Sequence, residues 1–146
     1  MQDPGAPPGR FHYWKTANFS TLDDTTIDAL TAATERLPTP HTELHVQHMG
    51  GAVARGTSGD SAFAHRDAAF FVNLIGVAVT GDAFPEARAW TREIYAGLSP
   101  RALPGFLPNF TDRDDGEALA SFHGQRAERI SALRRRYDAA RLFASV

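Results

Sequence analysis

The chain is 146 residues long, carries a formal net charge of −2 and has no cysteine. One domain of this size buries roughly two-thirds of the surface its unfolded form exposes, and the absence of cysteine excludes disulfides, thiolate zinc sites and thiol nucleophiles. The charge gives no electrostatic case for nucleic acid or an anionic membrane, and no run approaches the roughly 20 apolar residues of a membrane span.

The opening M-Q-D-P-G-A-P-P-G-R lacks an apolar core and reads as neither signal peptide nor anchor. The expectation is a cytoplasmic protein with an extended leader over residues 1–10 and a single domain over residues 11–146. Phe11 to Phe19 is aromatic-rich and predicts a strand. Tyr13 and Trp14 then point to opposite sides of it. Asp23 or Asp24 caps a helix whose Ile27, Leu30, Ala33 and Leu37 recur at helical spacing, and Pro38 and Pro40 stop it.

From Glu43 to Met49 the pattern alternates, with Leu44, Val46 and His48 on an oily face and His45, Gln47 and Met49 on a face that can hydrogen-bond. Gly50-Gly51 and T-S-G-D over 57–60 predict a loop. Phe70 to Val79 is apolar on both faces apart from Asn73, as expected where a sheet is covered on each side. A helix starts at Asp82 to Pro85, buries Ala87, Trp90, Ile94 and Leu98, and ends at Gly97 to Pro100. Leu103 to Asp115 reads as an ordered loop, and a last helical region runs from about Gly116 to Phe143, broken at Gly124, with Ile130, Leu133 and Tyr137 facing the core.

The order β-α-β-β-α followed by a loop and a long helix predicts a ferredoxin-like α+β fold, an antiparallel sheet with helices on one face. Such a sheet leaves its second face bare, whereas the Phe70 to Val79 strand is apolar on both sides. That mismatch predicts a homodimer packing sheet against sheet, with a small-molecule pocket between or beside the two.

Six histidines without cysteine raise the question of a metal, but His45 and His48 are three apart and fall on opposite faces of a strand. His45 and Gln47 share a face. They either orient a carbonyl or phenol in a pocket, as the candidate catalytic pair, or are ordinary surface residues. Asn73 is the only hydrogen-bonding side chain of its strand and must find partners if buried; pocket lining and a cross-strand bond both satisfy it. Tyr13, Trp14 and Met49 are candidates for a wall against a planar ligand, with core packing as the default for the aromatics. The glycines at 50, 51, 56 and 59 do not form a phosphate loop, lacking a G-K-[ST] ending and a following helix.

Y-W-K with L-D-D-x-x-I-D-A-L, G-G-A-V-A-R, A-F-A-H-R, the V-N strand, P-N-F, and R-R-R-Y-D-A-A-R-L-F span Phe11 to Phe143. Together these stretches resemble the C-terminal part of berberine bridge enzyme-like FAD-linked oxidases. The resemblance implies a substrate domain with closing helices. His65-Arg66 within A-F-A-H-R is then either a tie between loop and sheet or a substrate contact. The family's flavin-binding N-terminal domain has no counterpart in the sequence. Positions that the family places beside flavin are changed here to Leu107, His123, Arg126 and Asp138-Ala139-Ala140-Arg141. The expectation is therefore a flavin-free cyclase or isomerase of bacterial secondary metabolism acting on a polyketide-like substrate. The alternatives are the substrate subunit of a split oxidase whose FAD sits on a separate chain, and a non-catalytic ligand-binding protein.

Overall fold

The structure is a computed structural model and describes residues 8–56, 63, 65–105, 108–112, 127–140 and 142. Three strands, β1 (Phe11–Phe19), β2 (Glu43–His48) and β3 (Phe70–Ala78), form one antiparallel sheet in the order β1-β3-β2. Helix α1 (Asp24–Thr34) links β1 to β2, and α2 (Phe84–Leu98) follows β3. Because β3 lies between β1 and β2 and runs against both, the β1-α1-β2 unit is a split β-α-β, as the ferredoxin-like expectation requires. A further helix, α3, spans Ala127–Tyr137.

Alternation decides which residues meet the helices. From β1, Ala17 and Phe19 face them, from β3 Val72 and Leu74, and they pack with Leu30 and Ala33 of α1 and Trp90, Ile94 and Leu98 of α2. The α2 stripe is the one read from the sequence. The α1 stripe is shifted: Thr26, Leu30 and Ala33 are buried while Ile27 is 45% exposed. Asp23 sets that phase by accepting the Thr26 N–H at 2.7 Å, and the helix ends at Thr34, which leaves Leu37 outside it and 40% exposed. Between α1 and β2, Thr39 Oγ1 donates to the Val77 carbonyl at 2.6 Å and fastens that connection to the end of β3.

The second face of the sheet is not bare. Phe71, Asn73, Ile75 and Val77 of β3 are each at most 3% exposed within a single chain. A second copy is thus not what buries β3. Part of the cover is a 3-10 turn at Pro108–Phe110, whose Phe110 ring lies 5.7 Å from that of Trp14 and 5.6 Å from that of Phe71. Backbone bonds hold this stretch beside β1, from Leu103 N–H to the Asn18 carbonyl at 2.7 Å and from Asp112 N–H to the Trp14 carbonyl at 3.1 Å. The exposed strand is β2, where His45 to His48 all reach solvent and Val46 is 45% exposed.

In α3 no residue is buried. Leu133 is 44% and Tyr137 72% exposed, so the expected core-facing stripe is corrected for these two, and Arg134 to Arg136 are solvated. Most of the leader, T-S-G-D, and the Gly116 to Arg126 part of the expected long helix with its break at Gly124 lie outside the described residues, as do Leu107, His123, Arg141 and Phe143.

Candidate functional site on the second sheet face

Directly paired residues of an antiparallel sheet project to the same side. The register therefore lays out three rows on the face away from the helices. Thr16, Asn73 and His45 form the middle row; Trp14, Ile75 and Glu43 flank it on one side, and Asn18, Phe71 and Gln47 on the other. Sequence alternation alone separates His45 and Gln47 from His48, and Trp14 from Tyr13.

The middle row is polar and deeply buried at its β1 and β3 members. Asn73 is 1% and Thr16 2% exposed. Thr16 Oγ1 and both polar atoms of the Asn73 carboxamide have no hydrogen-bond partner among the described residues, and neither has His12 Nδ1 one row beyond Trp14. A buried polar atom left in this state costs about 1–3 kcal/mol, so the three atoms of Thr16 and Asn73 form a concentrated deficit under an aromatic cover. At the β2 end the row opens to solvent. There Glu43 Oε2 lies 2.8 Å from His45 Nε2, with both side chains nearly half exposed. A carboxylate held on one ring nitrogen fixes the imidazole's orientation and leaves Nδ1 to face other groups.

The remaining sequence candidates are distributed around this face. Tyr13 lies on the helix side, 2% exposed, with Lys15, Arg88 and Arg92 against its ring, and the sheet separates it from Trp14 and Asn73. Met49 follows the end of β2 and donates its N–H to the Ala69 carbonyl at 2.8 Å. His65 is buried, edge-on to Phe63, and its ring packs against Gly105, whose carbonyl accepts from Asn18 Nδ2 at 2.9 Å. Gly105 has φ +93°, a backbone state open to glycine, and a Cβ there would collide with the His65 ring. Arg66 Nη1 donates to the Val53 carbonyl at 2.6 Å and the Arg55 carbonyl at 3.0 Å, tying the Gly-Gly loop to the start of β3.

The residues that sequence reasoning passed over are Thr16, Glu43 and His12. Their signal was present in the alternation of β1 and β2, which puts Thr16 beside Trp14 and Glu43 beside His45. Among the described residues no group of three His, Asp or Glu side chains is placed to hold a metal ion. No described helix is long and apolar enough to cross a membrane.

No protein-family model and no curated protein sequence matches the chain. Solved structures do match it. CrmK, a flavoenzyme involved in shunt product recycling in caerulomycin biosynthesis, superposes with a TM-score of 0.76 at 19% identity, over 95% of this chain and 32% of its own. BBE-like 1 of Physcomitrella patens gives 0.75 at 17% identity, over 88% and 28%. GilR, an oxidoreductase catalysing the terminal step of gilvocarcin biosynthesis, gives 0.73 at 17% identity, over 91% and 31%. The chain thus spans about a third of the length of these structures. Its fold is that of one portion of the BBE-like FAD-linked oxidases.

Proposed function

We propose that the chain is a small-molecule enzyme of secondary metabolism, a cofactor-independent cyclase or isomerase that receives a planar, polyketide-like substrate on the second sheet face. The observation that supports it is the His45–Asn73–Thr16 row with Glu43 oriented on His45. In this scheme Asn73 Nδ2 donates to a substrate carbonyl and makes the adjacent C–H more acidic. His45 Nδ1 takes that proton and returns it elsewhere on the same molecule, so the double bond moves, or a ring closes, with no change in oxidation state. Gln47 and Trp14 hold the ring system in place. His65, Arg66 and Met49 position the loop that borders the face, and Tyr13 acts from beneath the sheet by fixing β1.

A second reading is the substrate-binding part of an FAD-linked oxidoreductase, favoured by likeness to flavoenzymes that are about three times longer. Neither the start of α1 nor that of α2 fits the pyrophosphate of FAD. The first turn of α1 is occupied by the Asp23 carboxylate and carries Asp24, and that of α2 carries Pro85 and Glu86 behind Asp82. Each of these helix ends repels a phosphate that it would otherwise attract. On this second reading the flavin therefore sits on a separate chain or segment.

Native mass spectrometry on protein from a flavin-replete host separates the two, since one spectrum reports subunit number and bound mass. A flavin-free protein, monomer or homodimer, that loses turnover in His45→Ala and Gln47→Ala while its Tm holds supports the first. A flavin-sized mass on a bound second polypeptide, or full turnover in both variants, overturns it.

A further inference from the structure

We infer that the buried Thr16–Asn73 pair recognises an imide edge, the acceptor–donor–acceptor sequence O=C–N–H–C=O of a planar ring. The inference builds on the second sheet face as the substrate site and names the chemical class of what binds there. Thr16 and Asn73 are opposite one another in the β1–β3 register, which puts their Cβ atoms about 5 Å apart. Between them they present three polar atoms that are buried and have no hydrogen-bond partner among the described residues.

A carboxamide offers a donor and an acceptor side by side, and a hydroxyl next to it can donate. With the Asn73 oxygen turned toward β1, the sequence across the pair is Nδ2–H donor, Oδ1 acceptor, Oγ1–H donor. Its complement is acceptor, donor, acceptor. One imide meets all three at once: one carbonyl accepts from Asn73 Nδ2, the ring N–H donates to Oδ1, and the second carbonyl accepts from Thr16 Oγ1. A lone ketone or phenol would leave at least one of the three unmet.

The surroundings suit a flat ring that carries such an edge. Trp14 and Phe71 flank the pair on the same face, one row to either side, and Phe110 bridges above them. A ligand seated on Asn73 takes the place of the Phe110 ring, exchanging an aromatic cover that satisfies none of the polar atoms for one that satisfies all. The edge could belong to an imide-bearing substrate or to the isoalloxazine ring of a flavin, which has the same three groups.

The test is calorimetric titration of the intact protein with 1,8-naphthalimide and with lumiflavin, each beside its N-methyl imide derivative. Binding of either parent, weakened about tenfold or more by N-methylation and again by Asn73→Leu, supports the inference. Naphthalimide then points to a substrate and lumiflavin alone to a flavin ring. Thr16→Val, which keeps shape and removes the hydroxyl, is expected to weaken binding less than Asn73→Leu and guards against a folding failure in the latter. Equal binding of the N-methyl compounds, unchanged affinity in both variants, or no binding by any imide overturns the inference. Imide binding that depends on Asn73 in a protein whose turnover ignores His45 would leave the edge standing and remove the proposed acid–base role.

Discussion

Gly76 of β3 faces Ala87 of α2 so closely that a Cβ on Gly76 would come within 2.5 Å of the Ala87 carbonyl oxygen and 2.6 Å of Thr91 Oγ1. The contact fixes how near α2 sits to the central strand. Thr91 shares in it, since its hydroxyl donates back to the same Ala87 carbonyl at 3.0 Å. Gly76→Ala therefore overpacks the strand–helix layer and is expected to cost about 1–3 kcal/mol. A thermal melt reads it as a lower Tm; an unchanged Tm would show that α2 can lift away from the sheet freely.

Arg66 spans two carbonyls, those of Val53 and Arg55, while its guanidinium lies 5.5 Å from the Phe63 ring centroid. Both bonds leave one nitrogen, Nη1, and a methionine of similar length has no N–H to make either. Arg66→Met is expected to free the Val53–Arg55 stretch while changing global stability by about 1 kcal/mol or less. Limited trypsin digestion should show faster cleavage after Arg55. Equal rates in the two proteins would mean that Arg66 does not hold the loop.

How much of this was legible depended on which rule applied locally. The faces of β1 and β2 followed from period-two alternation, and the α2 stripe from period 3.6 behind Pro85, because nothing competes with those patterns. The α1 stripe came out one residue off at its start, since choosing between Asp23 and Asp24 as cap sets the phase and Ile27 is more apolar than the Thr26 that is actually buried. Leu133 and Tyr137 carry a helical apolar spacing yet remain exposed, and periodicity cannot say whether a partner surface lies opposite. The cover on the second face escaped for a related reason. Phe110 lies far from Trp14 and Phe71 in sequence, and three-residue turns have no periodicity to read. Without that cover, a second copy was the economical way to explain a strand apolar on both sides.

The Asp23 carboxylate accepts the Thr26 N–H, and the hydrogen bonds from Thr26, side chain first and backbone second, hold its pKa below the ordinary 3.8. A carboxyl with a depressed folded-state pKa contributes stability in full above its unfolded value and loses it as the pH falls through the folded one. Wild type is therefore expected to melt higher than Asp23→Ala at neutral pH, with the gap closing as the pH is taken below about 4. Asp23→Asn keeps an acceptor oxygen at the cap and has no proton to gain, so its advantage over alanine should not depend on pH in that range. A wild-type advantage that persists undiminished at about pH 2 would contradict this account of the cap.

Phe110 is the test of whether the second face is closed from within the chain. Its ring reaches both Trp14 and Phe71, and the stretch that carries it is pinned to β1 through the Asn18 and Trp14 carbonyls. Phe110→Ala removes the ring and leaves those backbone bonds in place. The loss should be about 1–3 kcal/mol, below that of a fully buried phenylalanine, because Phe110 is only half-buried. The informative signal is fluorescence. Trp90 lies on the other side of the sheet, 6% exposed, and should keep its emission, while Trp14 meets water and shifts to the red with greater quenching by acrylamide. Phe110→Leu, which restores an apolar cover of smaller area, should fall between the two. If the alanine variant keeps wild-type emission and quenching, other parts of the chain close the face over Trp14, and the route to Asn73 does not pass beneath Phe110.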